Sequence, residues 1–336
     1  MERFIQYGFR AQNIPFYDCS VITRTREEWH AMALRNPARG IGFLIYGILI
    51  QAIYIPVMIA MWKRKKSNTC YQIMFILGLL DMLNLVINSE LSGYFLIVGN
   101  NYCTSPNLNY IAGSIAVGIW CGACYCCLML VLNRLCDLWD SPFSKQIFGE
   151  KAMIGWILGL IVYSACFTFF TPPVSFNSSL SAWFFSPFIL GTETELAMFY
   201  NIPHTINNIV VVLITALLYI VLILVIGYKY GMAGMSTISQ VRRSIMIQCV
   251  IICSLNLVGS FLYVYMQFFF VPGYFILISH FCWQTINGIP VLVYMTMNGT
   301  LRGDLIKMFR RNARIGTNPN STGDKKPALE ATTTYL

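Results

Sequence analysis

Charge is scarce in this chain. Lys, Arg, Asp and Glu make up 11% of its 336 residues, where soluble domains carry about 25%. With hydrophobic residues at 57%, the shortage excludes a water-soluble globule and points to an integral membrane protein. Acid is scarcer than base, and the net charge is +9. The bases sit at the ends of apolar runs and form no basic domain with interleaved aromatics, so topology and anionic lipid account for them better than nucleic acid does. Histidine is limited to His30, His204 and His280. No carboxylate matches His204 or His280 at ligand spacing, which excludes a zinc hydrolase. Tyr274 to Thr300 has no lysine, which excludes a retinal Schiff base. No internal repeat suggests a transporter, and residues 1–39 contain no apolar core resembling that of a cleavable signal peptide. No enzyme activity and no cofactor are expected.

Seven apolar runs are present, each near the ~20 residues a helix needs to cross a bilayer. They cover about Gly40 to Met61, Tyr71 to Gly99, Asn109 to Leu135, Ala152 to Phe170, Ile206 to Gly227, Ile245 to Phe270 and Tyr274 to Met297. The expected fold is an all-α, seven-helix membrane bundle at 40–311, after an extracellular segment at 1–39 and before a disordered cytoplasmic tail at 312–336. Leu301, Leu305, Ile306 and Phe309, interleaved with Arg302, Lys307, Arg310 and Arg311, predict a short amphipathic helix lying on the inner leaflet.

Basic residues follow the odd-numbered spans: Lys63 to Lys66 after the first, Arg134, Lys145 and Lys151 after the third, Lys229, Arg242 and Arg243 after the fifth, and a cluster from Arg302 onward after the seventh. The loops after the second, fourth and sixth spans hold none. The positive-inside rule then puts the amino terminus outside. Arg3, Arg10, Arg24, Arg26, Arg35 and Arg39 pull the other way, and the agreement of the loops outweighs them. In this orientation Cys19 and Cys103 are the two cysteines in the oxidising compartment, and they are expected to form a disulfide. Most of the others fall in membrane helices, where Cys121 and Cys124 read as small packing residues rather than a metal site. Asn177-Ser178-Ser179 in the fourth-to-fifth loop is a glycosylation sequon on the outer side. Those at Asn298 and Asn320 fall inside, so chance occurrence stays open for all three.

Asp81 is the only carboxylate well within a span, and a buried ionisable group is costly enough to mark function. Asn84 and Asn88 follow at spacings of three and seven, on the same helical face. Together they form a polar seam that either serves function or merely holds helices together. Glu90, nearer the outer end, is either hydrated or lines a cavity. Arg134 is the first charge after Tyr110. It is either an ordinary membrane-edge arginine or a functional group turned to a protein cavity.

Seven helices with Asp81 in the second, Arg134 at the inner end of the third, Trp156 in the fourth, and Pro290 and Tyr294 in the seventh resemble a G protein-coupled receptor. More narrowly, the chain is similar to the nematode serpentine chemoreceptors of class T. The matching segments include Tyr17-Asp18-Cys19-Ser20, Tyr54-Ile55-Pro56, Cys70-Tyr71-Gln72-Ile73-Met74, Leu132-Asn133-Arg134 and Pro290 through Arg302.

The resemblance implies a receptor that takes a small extracellular molecule and couples to a heterotrimeric G protein at the plasma membrane. Arg134 resembles the arginine of the Asp-Arg-Tyr motif, with Asn133 and Leu135 in place of its neighbours. Asp137 is the nearest acid on the same helical face, and the start of the sixth helix offers only Arg242 and Arg243. Asn133, Arg134 and Tyr294 are the expected coupling residues. Asp81 resembles the aspartate that holds a sodium ion, with Ser114, Asn287 and Asn298 as contributors. Asn287 also joins the polar seam. The seventh helix departs from Asn-Pro-x-x-Tyr, with Ile289 before Pro290 and Tyr294 four residues on, and the proline permits a hinge. A ligand pocket is expected between the outer helix halves, lined by His204, Tyr263, His280 and Trp283, with Tyr265 and Phe268 nearby. Packing is the alternative role of each aromatic. The rival function is a partner subunit or adaptor that keeps the fold without signalling.

Overall fold

The structure is a computed structural model that describes residues 1–21, 25–65, 68–139, 146–188, 198–230, 240–269 and 271–316. Seven of its helices are long and apolar enough to cross a membrane: Pro37–Arg64, Thr69–Val98, Pro106–Trp139, Glu150–Phe170, Ile202–Tyr228, Arg243–Met266 and Gly273–Met297. They are called the first to seventh spans below. The third is the axis of the bundle. In the most apolar window of each, 72% of the third span is buried against 17% of the fourth and 22% of the fifth. Ile154, Leu158 and Ile161 on the fourth span and Leu213, Leu217 and Ile220 on the fifth are exposed, as an outward face turned to lipid tails requires.

Local chemistry fixes the helix ends. Asn36 caps the first span by accepting from Arg39 N at 3.1 Å, with Pro37 in the first helical turn. Asn68 caps the second by accepting from Cys70 N at 2.8 Å. The second span ends at Gly99 with φ +71°, where the carbonyl of Ala33 packs so closely that a Cβ would not fit. Within that span, Val86–Leu91 forms a π-helical turn, and the Ser92 hydroxyl donates to the carbonyl of Ile87 at 2.9 Å. Such a turn inserts one residue and rotates the rest of the helix about its axis. Here Asn88 and its neighbour Ser89 are both buried, Ser89 donating to the carbonyl of Phe43 at 2.6 Å. The third span packs close to its neighbours through glycines. A Cβ on Gly118 would meet the Thr168 hydroxyl and stand 2.7 Å from the Ser164 carbonyl oxygen.

Two features go beyond the expected bundle. The described residues among the first 36 form a lid containing helices Glu2–Gln6 and Arg26–Met32. It buries Phe4, Ile14, Tyr17 and Trp29 against Tyr102, Tyr110, Phe188 and Phe199. Between the fourth and fifth spans lies a hairpin of β1 (Ser175–Asn177) and β2 (Ala182–Phe184), paired antiparallel with Phe176 opposite Trp183. Asn109 of the third span holds it by accepting from Phe176 N at 2.9 Å.

At the end away from the lid, the helix Gly299–Gly316 follows the seventh span. Arg64 grips it through two bonds to Asp304, Nε to Oδ2 at 2.8 Å and an Nη to Oδ1 at 3.0 Å. Leu301 and Leu305 are buried while Ile306 and Phe309 are exposed, which suits a helix resting on a bilayer surface. The tail beyond residue 316 and the Asn320 sequon lie outside the described residues.

Candidate functional site

Between the hairpin and the third, fifth, sixth and seventh spans is a cavity of about 610 Å³. The third span supplies Trp120, whose indole donates to Asn208 Oδ1 of the fifth span at 2.9 Å. The hairpin supplies Trp183, held by an indole bond to the Ser92 hydroxyl at 2.8 Å. Tyr263 and Trp283 come from the sixth and seventh spans, with ring centroids 6.0 Å apart at 81°. His204, at the start of the fifth span, lies edge-on to Phe185 at 5.1 Å, and its Nδ1 is buried without a hydrogen-bond partner among the described residues. Phe199 links the cavity to the lid: it lines the cavity and packs on Tyr17 of the lid at 5.2 Å.

Of the residues expected around a pocket, His204, Tyr263, Trp283 and Phe268 line this cavity, and His280 and Tyr265 do not. His280 turns instead to the second span, its Nε2 3.0 Å from the carbonyl oxygen of Asn88. Gln284, which sequence reasoning missed, donates to the same oxygen at 2.7 Å. The physical reason is the π-helical turn, which brings Asn88 opposite the seventh span. Glu90 is half-buried on the first-span side, its Cγ against Gly47.

The polar seam runs on from there. Asn84 donates to Asn287 Oδ1 at 3.3 Å, and Asn287 donates to the Trp283 carbonyl at 2.8 Å. The Tyr54 hydroxyl lies 3.0 Å from both Asp81 Oδ2 and the carbonyl of Asn287. It has one proton to share between them. Asp81 is 2% exposed. Ser114 is not part of this group, because its hydroxyl donates to the Tyr110 carbonyl of its own helix at 2.8 Å. Asn298 lies past the end of the seventh span, where it accepts from Tyr71 and donates to Gln248, both at 3.3 Å. Neither contributes directly at Asp81. Among the described residues no group of three or more His, Cys, Asp or Glu side chains is placed to hold a metal.

Arg134 is 4% exposed, so it faces protein rather than water. One of its Nη atoms donates to Asn133 Oδ1 and the other to Asp137 Oδ2 at 3.2 Å, while Nε has no partner among the described residues. Asp137 is 36% exposed on its side chain, so the ion pair lies at the rim and the Asn133 contact lies inside. Tyr294 is wholly buried with its hydroxyl unpartnered. The side chain of Arg242 lies outside the described residues.

At the lid end, Cys19 and Cys103 form a disulfide with Cα atoms 5.8 Å apart. Asn177 sits at the turn of the hairpin, accepting from Leu180 N at 3.1 Å. In the same sequon the Ser179 hydroxyl donates to the Met32 carbonyl of the lid at 2.6 Å. Burial raises the pKa of Tyr17 in the lid and of Tyr102 beneath it above the ordinary tyrosine range, which keeps both phenols neutral.

A family model described as "Serpentine type 7TM GPCR chemoreceptor Srt" matches residues 3–317. The chain belongs to that family. It is 25% identical over 304 residues to Serpentine receptor class T-55 of Caenorhabditis elegans, a span that covers 89% of this chain and 82% of that protein. As an Srt chemoreceptor it is a multi-pass plasma-membrane receptor of seven helices.

Proposed function

We propose that this Srt chain is a chemosensory receptor that binds a small molecule from outside the cell in the cavity beside the hairpin and signals inside through a heterotrimeric G protein. The lid and hairpin lie outside, with Asn177 accessible to glycosylation during synthesis, and the end bearing Arg64, Arg134 and Arg302 lies inside. The observation that carries the proposal is that one helix serves both ends. Trp120 on the third span lines the cavity, and Arg134 lies about 21 Å further along that helix at 1.5 Å per residue. A ligand acts by binding one packing of the bundle better than another. The packing described here keeps Arg134 buried between Asn133 and Asp137, so the coupled state is one that releases it, with Tyr294 moving toward the same inner opening. For a sodium ion the seam offers the Asp81 carboxylate and Asn84 Oδ1, which has no partner.

A second role, a partner subunit that does not signal, is favoured by Asn133 in the position of an acid. Membranes carrying the chain or its Arg134→Ala variant, screened for nucleotide exchange on a G protein against a panel of small volatile and water-soluble chemicals, separate the two. A response lost in the variant at equal surface expression supports the receptor with Arg134 at the coupling site. A response that survives removes that role from Arg134, and a silent but surface-expressed chain favours the partner subunit.

A further inference from the structure

The walls of the cavity define the chemistry of its occupant. Among the described residues lining it there is no Asp, Glu, Lys or Arg, and its surface is mostly aromatic and aliphatic carbon. At about 610 Å³ it falls within the roughly 300–1,000 Å³ of small-molecule sites. An ionised group brought into such surroundings loses its hydration and finds no opposite charge to repay that loss. Of the polar groups nearby, the Trp120 indole is engaged by Asn208 and the Trp183 indole by Ser92, while the Trp283 indole N–H has no partner among the described residues but can only donate. His204 differs. It is 6% exposed and lines the cavity, and its Nδ1 has no hydrogen-bond partner among the described residues. A neutral imidazole both donates and accepts, so it serves a carbonyl, ether or hydroxyl oxygen equally.

We infer that the cavity takes an uncharged, largely apolar molecule bearing one oxygen function, with His204 the residue that selects for that oxygen. The inference rests on the cavity being the ligand site proposed above, and it adds the ligand's chemical class and the side chain that reads it. Aliphatic ketones, esters and alcohols fit this description; fatty acids, amino acids and quaternary ammonium compounds do not.

Four probes sharing a ten-carbon chain test it: 2-decanone, decane, decanoate and decyltrimethylammonium. Each is titrated into the full-length receptor in lipid nanodiscs and followed by tryptophan fluorescence, since Trp120, Trp183 and Trp283 line the cavity. 2-Decanone is expected to give a saturable change and bind about tenfold more tightly than decane, the effect of one well-placed hydrogen bond. His204→Leu should erase that advantage without weakening decane, and His204→Gln, which keeps a donor and an acceptor, should restore part of it. Loss of decane binding as well would signal a misfolded variant, and the Gln variant then decides alone. The inference is overturned if decanoate or the ammonium probe binds as well as the ketone, if the ketone keeps its advantage in His204→Leu, or if neither neutral probe saturates. Nucleotide exchange on a G protein is read separately. Ketone binding without exchange leaves the ligand class standing and removes the signalling role.

Discussion

Replacing Asn133 by Asp returns an acid to the position beside Arg134 and tests how this receptor holds its resting state. Arg134 and Asn133 are both buried, at 4% and 6% exposed, and Asn133 accepts from the guanidinium. That bond already involves one charged group and contributes about 1.5–3 kcal/mol; a carboxylate acceptor adds the attraction of a second, opposite charge, about 4 kcal/mol at about 4 Å and an effective dielectric of about 20. Burying the new carboxylate costs desolvation, but the guanidinium is already in place with its Nε unpartnered. The net gain is then about 1 kcal/mol in the packing that buries Arg134, with none where Arg134 is released to a G protein. That shifts the resting equilibrium roughly fivefold. Ligand-free nucleotide exchange at matched receptor density should fall by about that factor in Asn133→Asp. Asp137→Asn should act oppositely and more weakly, because its ion pair is more than a third exposed on the acid side and such pairs contribute 0–1 kcal/mol. Unchanged or raised basal exchange in Asn133→Asp would refute the view that the Asn133 contact holds the resting state.

Removing the disulfide in Cys19→Ser/Cys103→Ser opens a covalent loop with a sequence separation of 84. Losses of about 2–5 kcal/mol are typical for small domains, but here the aromatic contacts of Phe4, Tyr17 and Trp29 remain. Faster hydrogen exchange confined to the lid is therefore expected, with the seven spans unchanged. For the helix after the seventh span, Arg64 holds the Asp304 carboxyl below its ordinary range. An acid with a depressed folded value contributes stability above its unfolded value of about 4 and loses it as pH falls through the folded one. Spin labels on Gly299–Gly316 should gain mobility below about pH 4 in the native protein, while Asp304→Asn is looser at pH 7 and insensitive to that drop. The contact is partly exposed, so its worth is at most about 1 kcal/mol.

The seven spans are legible because run length and the absence of charge survive any detail of packing. The face shared by Asp81, Asn84 and Asn88 is legible because helical spacing is geometric, and Asp137 is the acid that spacing alone places beside Arg134. The lid is not legible. Its burial comes from contacts such as Phe4 on Tyr110 at 5.7 Å and Tyr17 on Phe199, made across large sequence separations with no period in the first 36 residues to announce them. His280 misleads for a related reason. By depth it belongs with the pocket, but a π-helical turn whose nearest sequence trace is Ser92 bonding back to Ile87 re-aims Asn88, and the histidine turns with it. Ser114 lies on a suitable helix and spends its hydroxyl on that helix's own carbonyl, which depth matching does not reveal.

The way polar and apolar contacts are divided between the two halves suggests how ligand energy is converted into motion. Apart from the Trp120 and Trp183 indole bonds, the contacts around the cavity are aromatic and non-directional, so rings such as Phe199, Tyr263 and Trp283 slide with little penalty. Between the second and seventh spans the contacts are hydrogen bonds, from Asn84 to Asn287 and from His280 and Gln284 to the carbonyl of Asn88, which are either made or broken. Such bonds between membrane helices average about 0.6 kcal/mol each, so the set resists separation by roughly 2 kcal/mol. A ligand with micromolar affinity binds with about 8 kcal/mol, and a quarter of that, expressed as preference for one packing, is enough to break the set. Trp283 is where the two regimes meet, its ring packed on Tyr263 of the cavity and its carbonyl accepting from Asn287 of the seam. A ligand that displaces that ring therefore acts on the directional contacts through one residue, and the proline at 290, one turn beyond Asn287, lets the lower half of the seventh span respond separately from the upper half.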